Sequence, residues 1–392
     1  MSGNGKAESD LSLCMIVKDE ESFLDGCLRS VSGIASEIIV ADTGSSDRSR
    51  DIARARGATL VSVPWRNDFA QARNVALALA TCRWILVLDA DEELVCDNMS
   101  SIAALLEEAD RRGVIGLNLT IVSGVGSGEE HVTDSVCRLF RNDRRIRFSG
   151  ILHEEVATSI LKLKPDGIVG VGRGVHVRHY GYLDRVIAAK GKSERNMRLA
   201  ERASREQPDN PFWSYALGTE YYQRGEYAEA LRHFAVSRHL VQPGEGYLSD
   251  LLLKIAFACR ETGLVGEAIE AADEALRRFP DFPDALELRA MLAEEQGDPT
   301  QALSLLGRAL AAGDRSDRYS SCSGAGTYRT LHLLGNVLER LGRLPEAEDA
   351  YERSLLVRPG YAPSLSRLDA IREGRCKRVP IVLQQNRRDN GS

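Results

Sequence analysis

Apolar and polar positions divide the chain into two unlike halves. Over residues 11–94, short apolar runs alternate with stretches whose apolar residues recur at helical spacing. Leu11-Ser-Leu-Cys-Met-Ile-Val17 predicts a strand. Residues 21–32, with Phe23, Cys27, Leu28 and Val31, predict a helix that stops at Gly33. Glu37-Ile-Ile-Val-Ala41 and residues 59–63 predict two more strands, with a helix over 48–56 between them. Asp68 with Gln71 resembles a capping box, so a helix is expected over 69–80. Trp84-Ile-Leu-Val-Leu88 then reads as a strand buried on both faces, and it ends abruptly in Asp89-Ala-Asp91-Glu-Glu93. Strands and helices alternating at these short spacings predict a parallel sheet covered by helices, an α/β domain.

Farther on, the pattern predicts a helix over 99–111, a strand over 116–122 and another over 135–140. The glycine-rich stretch 124–133 reads as a mobile loop or, equally, as a plain hairpin turn. A charged amphipathic helix over 184–207 leads to a region of different character. There Ala230, Ala268, Ala302 and Ala347 recur at spacings of 38, 34 and 45 residues, each inside a turn-and-helix pattern. A period near 34 residues marks tetratricopeptide repeats, whose helical hairpins bury their apolar faces only by stacking. The excess in the longest spacing falls in the Ser/Gly/Asp-rich stretch 313–327.

Composition narrows the function classes. Hydrophobic content of 43% and charged content of 28% over 392 residues suit a globular chain of two or three domains. The net charge of −6 gives no reason to expect a nucleic-acid partner. No apolar run approaches the ~18 residues that span a bilayer. Residues 1–10 are small and polar, without the apolar core of a secretory signal. The eight cysteines form no CxxC pair, which argues against a zinc module and suits a reduced, cytoplasmic protein.

The candidate chemistry is carboxylate chemistry. The turn after the first strand, Lys18-Asp-Glu-Glu21, lacks glycine, which argues against a dinucleotide fingerprint, and no GxxxxGK[ST] loop is present. Instead Asp19, Glu20, Asp42, Asp89 and Asp91 all follow parallel strands and are expected along one sheet edge, joined by Arg73 near a helix start. Side chains at i and i+2 of extended chain point the same way, so Asp89 and Asp91 emerge together. Such a cluster suits a divalent cation that also holds a nucleotide diphosphate. The alternative is a solvated acidic rim, with Glu92 and Glu93 opening a helix. A second cluster, Gly150-Ile-Leu-His153-Glu154-Glu155, offers acids for proton transfer, and His153 is either packed or a substrate contact. In Val175-His-Val-Arg-His179, alternation puts His176 and Arg178 on one face and His179 on the other.

Ile16-Val-Lys-Asp-Glu20, Val40-Ala-Asp42-Thr-Gly-Ser-Ser-Asp47, Asp68-Phe69 with Ala72-Arg73-Asn74, and Leu88-Asp-Ala-Asp-Glu92 together resemble family 2 glycosyltransferases. These are inverting enzymes of the GT-A fold, and the likeness is to the bacterial branch with tetratricopeptide repeats behind the catalytic domain. The resemblance implies that Val17, Lys18 and Glu20 contact the donor nucleoside, that Asp42 reads base or ribose, and that Arg73 helps hold the nucleotide. It implies a DxD motif of Asp89, Ala90 and Asp91 at the nucleotide sugar, with Asp89 and Asp91 around Mn²⁺ or Mg²⁺. It also implies His179, ahead of His176, in the metal shell, and Glu154 as base ahead of Glu155. Asp19 departs from the asparagine usual in the branch. The implied donor is a nucleotide-diphosphate sugar, most often a UDP-hexose. Acceptors in the branch include cysteine thiols or hydroxyls of ribosomal peptides, and envelope glycans. Repeats favour a peptide or protein acceptor, or self-association as a homodimer. The competing expectations are a transferase for an envelope glycan or small-molecule acceptor, or a non-enzymatic repeat adaptor with a vestigial GT-A domain. The expected layout is a disordered start at 1–10, a GT-A domain at 11–185, a linker helix at 186–209, repeats at 210–372 and a flexible tail at 373–392.

Overall fold

The computed structural model describes residues 10–98, 100–126, 128, 130–171, 174–181, 192–242 and 244–374. The expectations for residues 1–9, for Tyr182 and the start of the linker helix, and for the tail from 375 onward lie outside the described residues. The chain forms two compact units, Met1–Glu206 and Gln207–Ser392.

The first unit is a mixed sheet between helices. Its strands are β1 (Leu11–Val17), β2 (Glu37–Asp42), β3 (Thr59–Ser62), β4 (Trp84–Val87), β5 (Glu92–Cys96), β6 (Gly116–Val125), β7 (Glu130–Arg141), β8 (Ile168–Gly170) and β9 (Val175–His179). The helices that matter for the site are α1 (Leu24–Ser30), α2 (Ser49–Ala55) and α3 (Phe69–Leu79); α4 (Ser100–Arg111) and α5 (Ala157–Leu163) follow. Strand order is β3-β2-β1-β4-β7-β6-β9-β5, with β8 also on β6. The first four strands pair in parallel, and β7 joins β4 antiparallel. Period-2 alternation explains why β1 and β4 are buried on both sides. Leu11, Leu13, Trp84 and Leu86 enter one core layer, while Cys14, Ile85 and Val87 enter the other beneath α3. Helix α3 starts where its cap predicts, the Asp68 carboxylate accepting the Gln71 N–H at 2.8 Å.

Two alternatives are resolved. Glu92 and Glu93 do not open a helix: they begin β5, with Glu92 paired to His179 across an antiparallel ladder. A tight turn, closed by Glu92 N–H to the Asp89 carbonyl at 3.0 Å, carries the chain from β4 to β5. The described residues of 124–133 take the hairpin alternative. Gly124 pairs with His131 and Val125 with Glu130, so most of that stretch is hairpin ladder.

The second unit stacks helical hairpins: Pro211–Gln223 with Tyr227–Leu240, Leu248–Glu261 with Val265–Arg278, Pro283–Glu295 with Pro299–Ala312, and Tyr328–Arg340 with Leu344–Val357. The helix Ala362–Arg372 follows. The four marker alanines are fully buried. Small residues are required where helices touch: a Cβ on Gly218 would come within 2.6 Å of the Phe234 ring. The stretch 313–327 is firmly built. Tyr319 packs on Phe282 with ring centroids 4.5 Å apart, and the buried Asp284 carboxylate accepts from Ser321 Oγ at 2.5 Å and Cys322 N–H at 3.1 Å.

Candidate active site

Parallel pairing of the first four strands brings their carboxyl ends to one edge, with Val17 in register with Asp42. Val17 is buried, and its carbonyl accepts the Thr43 N–H at 2.9 Å. The Asp42 carboxylate, 2% exposed, accepts from the Gly44 and Ser45 N–H groups at 3.3 and 3.1 Å, with Arg50 Nε at 3.5 Å. The loops after β1 and β2 are laced together. Asp19 accepts from Ser46 N–H at 2.7 Å, Glu20 N–H donates to Ser49 Oγ at 2.7 Å, and Glu21 N–H donates to Asp47 at 2.9 Å. Asp19 has φ +53°, a left-handed conformation that Asn and Asp tolerate best, which accounts for either residue at this place. Lys18 is exposed beside this lacing and Glu20 half-buried.

The acid turn after β4 lies where the parallel and antiparallel parts of the sheet meet. Arg73, on the buried side of α3 and 6% exposed, reaches both acid clusters. Its Nη2 donates to Asp89 Oδ1 and its Nε to Glu154 Oε1, each at 2.5 Å. The ring of Phe148 packs against the same guanidinium, 5.5 Å away. Since Leu86 pairs with Leu139, the preceding residue Arg138 stands at the carboxyl end of β4. Its Nη2 donates to Glu92 Oε1 at 2.7 Å and lies 3.3 Å from Asp89 Oδ2. Burial would raise the Asp89 carboxyl, but Arg73 and Arg138 outweigh it and hold that group well below the usual carboxylate range. Burial pushes the Glu92 carboxyl up to about 7, Arg138 pulling the other way. Ala90 is buried in the turn between the two aspartates.

Asp91 is also buried, and its Oδ1 lies 3.7 Å from His179 Nε2. His179 Nδ1 is 3.0 Å from Ser123 Oγ, its lateral neighbour on β6. A Cβ on Gly181 would run into His179 and Asp91, so backbone closes tightly over the pair. His176 stands on the other face of β9. Among the described residues, no three His, Cys, Asp or Glu side chains are already drawn together at ligand spacing.

The two candidate bases part company. Glu154 is 9% exposed and faces Arg73. Glu155 instead pairs its backbone with Ser149, and its carboxylate accepts the Thr158 N–H at 2.9 Å at the start of α5. His153 is exposed. Glu92, Arg138 and Ser123 join the site without having been expected there. For Arg138 the available signal was its place in Arg138-Leu-Phe-Arg141, one strand residue beyond the β4 pairing.

A family model described as Glycosyl transferase family 2 matches residues 12–158, and a tetratricopeptide-repeat model matches 281–359. A tetratricopeptide-repeat-containing protein of Synechococcus elongatus is 34% identical over 276 residues, covering 70% of this chain and 67% of that one. The SPbeta prophage-derived glycosyltransferase SunS of Bacillus subtilis is 28% identical over 240 residues, covering 60% and 55%. An uncharacterized glycosyltransferase of Rickettsia bellii is 38% identical over 84 residues, covering 21% and 28%. Residues 12–158 thus form a family 2 glycosyltransferase domain, and tetratricopeptide repeats follow it in the chain. The chain spans about half the length of the Bacillus relative.

Proposed function

We propose that the protein transfers a hexose, with inversion, from a nucleotide-diphosphate sugar, UDP foremost, to a peptide or protein side chain, either a cysteine thiol or a serine or threonine hydroxyl. The observation that carries this reading is the Arg73 guanidinium, which touches Asp89 and Glu154 together. One side chain thus joins the acid of the donor-binding turn to the acid assigned as base.

In this reading Val17, Lys18, Glu20 and Asp42 form the nucleoside side of the cleft, and Asp89 and Ala90 face the sugar diphosphate. Asp91 and His179 suit a Mn²⁺ or Mg²⁺ ion by donor chemistry. The imidazole has one nitrogen beside Ser123 and turns the other toward a carboxylate. Such an ion, held by Asp89, Asp91 and His179, would neutralise charge on the departing diphosphate. Glu154 takes the acceptor proton as the acceptor attacks the anomeric carbon from the face opposite the diphosphate. Its Oε1 is held by Arg73, which leaves Oε2 to receive that proton. A thiol acceptor leans less on Glu154, because thiolate is already partly available near neutral pH.

The repeats support a peptide acceptor, since stacked hairpins present extended surfaces to chains. Free cysteines among the described residues suit a cytoplasmic setting, and no helix among those residues is long and apolar enough to cross a membrane. The test is incubation with a panel of nucleotide sugars, with and without Mn²⁺, followed by assay for released nucleoside diphosphate and mass spectrometry of candidate peptides. Metal-dependent release is expected. No release from any sugar, with or without metal, refutes the reading in favour of a repeat adaptor.

A further inference from the structure

Two residues, the buried Glu92 and the largely covered Arg138, grip the Asp89 turn and have no part in the scheme above. Glu92 holds Asp89 by its main chain: Glu92 Oε2 accepts the Asp89 N–H at 2.8 Å, while the Glu92 N–H donates to the Asp89 carbonyl at 3.0 Å. The backbone of Glu92 is in turn paired with His179. Arg138, 14% exposed, holds Glu92 Oε1 at 2.7 Å and stands 3.3 Å from Asp89 Oδ2. The acid is therefore approached on three sides: Arg73 at one oxygen, Arg138 at the other, and Glu92 at the peptide.

We propose that Glu92 and Arg138 are positioning residues, a bracket that fixes the Asp89-Ala90-Asp91 turn so that Asp91 stays beside His179, the pair that would face a cation and its diphosphate. The proposal rests on the metal-dependent reading of the site. A pair kept for stability alone explains the geometry less well. Replacing a buried ion pair by apolar groups of similar size is often neutral or stabilising. Here, moreover, Arg138 Nε is buried with no hydrogen-bond partner among the described residues. A guanidinium that leaves one donor uncompensated, yet places Nη2 against both acids, is arranged for direction rather than for its own satisfaction.

The experiment compares the full-length protein with Arg138→Met, Glu92→Gln, the double variant and Arg138→Lys. Mn²⁺ binding in the presence of UDP is measured by calorimetry or by the paramagnetic resonance of free Mn²⁺, and Tm is recorded for each. Each charge-removing single variant is expected to lose about 10–100-fold in Mn²⁺ affinity, the usual effect of losing an outer partner of a metal ligand. The double variant has neither buried charge and is expected to regain Tm without regaining affinity. Arg138→Lys is expected to recover part of the affinity. Should affinity return with Tm in the double variant, or the single variants match a Mn²⁺-responsive wild type, the bracket is overturned alone. A wild type that binds UDP no better with Mn²⁺ overturns the metal reading, and the bracket with it.

Discussion

Replacing Arg73 by methionine keeps the length of the side chain and removes its charge. Two carboxylates then lose a partner, but unequally. The Asp89 side chain is 34% exposed and keeps Arg138 at 3.3 Å, so water and the second guanidinium offset most of its loss. Glu154 is 9% exposed and loses its hydrogen bond to Arg73 Nε, so the cost falls chiefly there. Stripping one partner from a buried ion pair costs about 3–5 kcal/mol, and the lower end applies where one of the two acids is covered. A loss of about 3 kcal/mol lowers Tm by about 6–12 °C for a unit of this size. Scanning calorimetry of the full chain reads this in the transition of the first unit. The double variant Arg73→Met/Glu154→Gln no longer buries an unpaired charge and should recover at least half of the shift. The pH dependence has a definite sign. Arg73 and Arg138 hold the Asp89 carboxyl below its unfolded value, so its contribution is present above about pH 4 and lost on further acidification. The smaller, Asp89 share of the Arg73→Met deficit should therefore disappear below that pH. A variant that melts like wild type, or a double variant no better than the single, would show that the guanidinium does not bridge the two acids. If Arg73 served mainly to grip the nucleotide, UDP affinity would fall while Tm held.

The remaining predictions concern the base and the repeats. Glu154→Gln should slow transfer to a hydroxyl acceptor by about 10²–10⁴-fold with donor KM unchanged, as removal of a general base does, in steady-state kinetics. Glu155→Gln should cost only about 1 kcal/mol of stability, the scale of a helix-start contact, and leave the rate within a few-fold. Gly326 has φ +74°, and a Cβ there would overlap the Gly313 carbonyl. Gly326→Ala should therefore destabilise the repeat unit by about 2 kcal/mol or more in a helical-signal melt. Gly225→Ala, at φ +76° in open space, should cost only about 1 kcal/mol. Burial, aided by Arg367, pushes the His332 imidazole down to about 4 from 6.5. The folded repeats thus favour its neutral form, and stability is full above about pH 6.5 and declines as pH falls toward 4. His332→Gln should flatten that slope, and an unchanged slope would refute the assignment.

Much of this was legible in the chain because the informative contacts are local or periodic. Two-faced burial of Leu11–Val17 and Trp84–Val87 follows from uninterrupted apolar runs. The start of α3 follows from one capping aspartate. Strand ends carrying Asp42 and Asp89 follow from parallel order. What remained hidden depends on long-range register. Two acids after a turn look like the opening of a helix until His179 is seen to pair with Glu92. Arg138 becomes part of the site only through the antiparallel pairing of Leu139 with Leu86. Arg73 signalled a cation near the donor, but its reach to Glu154 requires the chain to return from the far end of the domain. The stretch 313–327 registered as surplus length, since the anchor that fixes it, Asp284, lies in an earlier helix.

Strand β4 has a parallel neighbour on one side and an antiparallel one on the other. The β6–β7 hairpin is rooted at that seam and reaches well past it, with Val125 and Glu130 at its outer end. For anyone re-engineering the enzyme, this separates what can be diversified from what cannot. The outer pairs of the hairpin lie far along the ladder from Leu139, Phe140 and Arg141, whereas slipping the seam by a single position would turn Arg138 to the opposite side of the sheet.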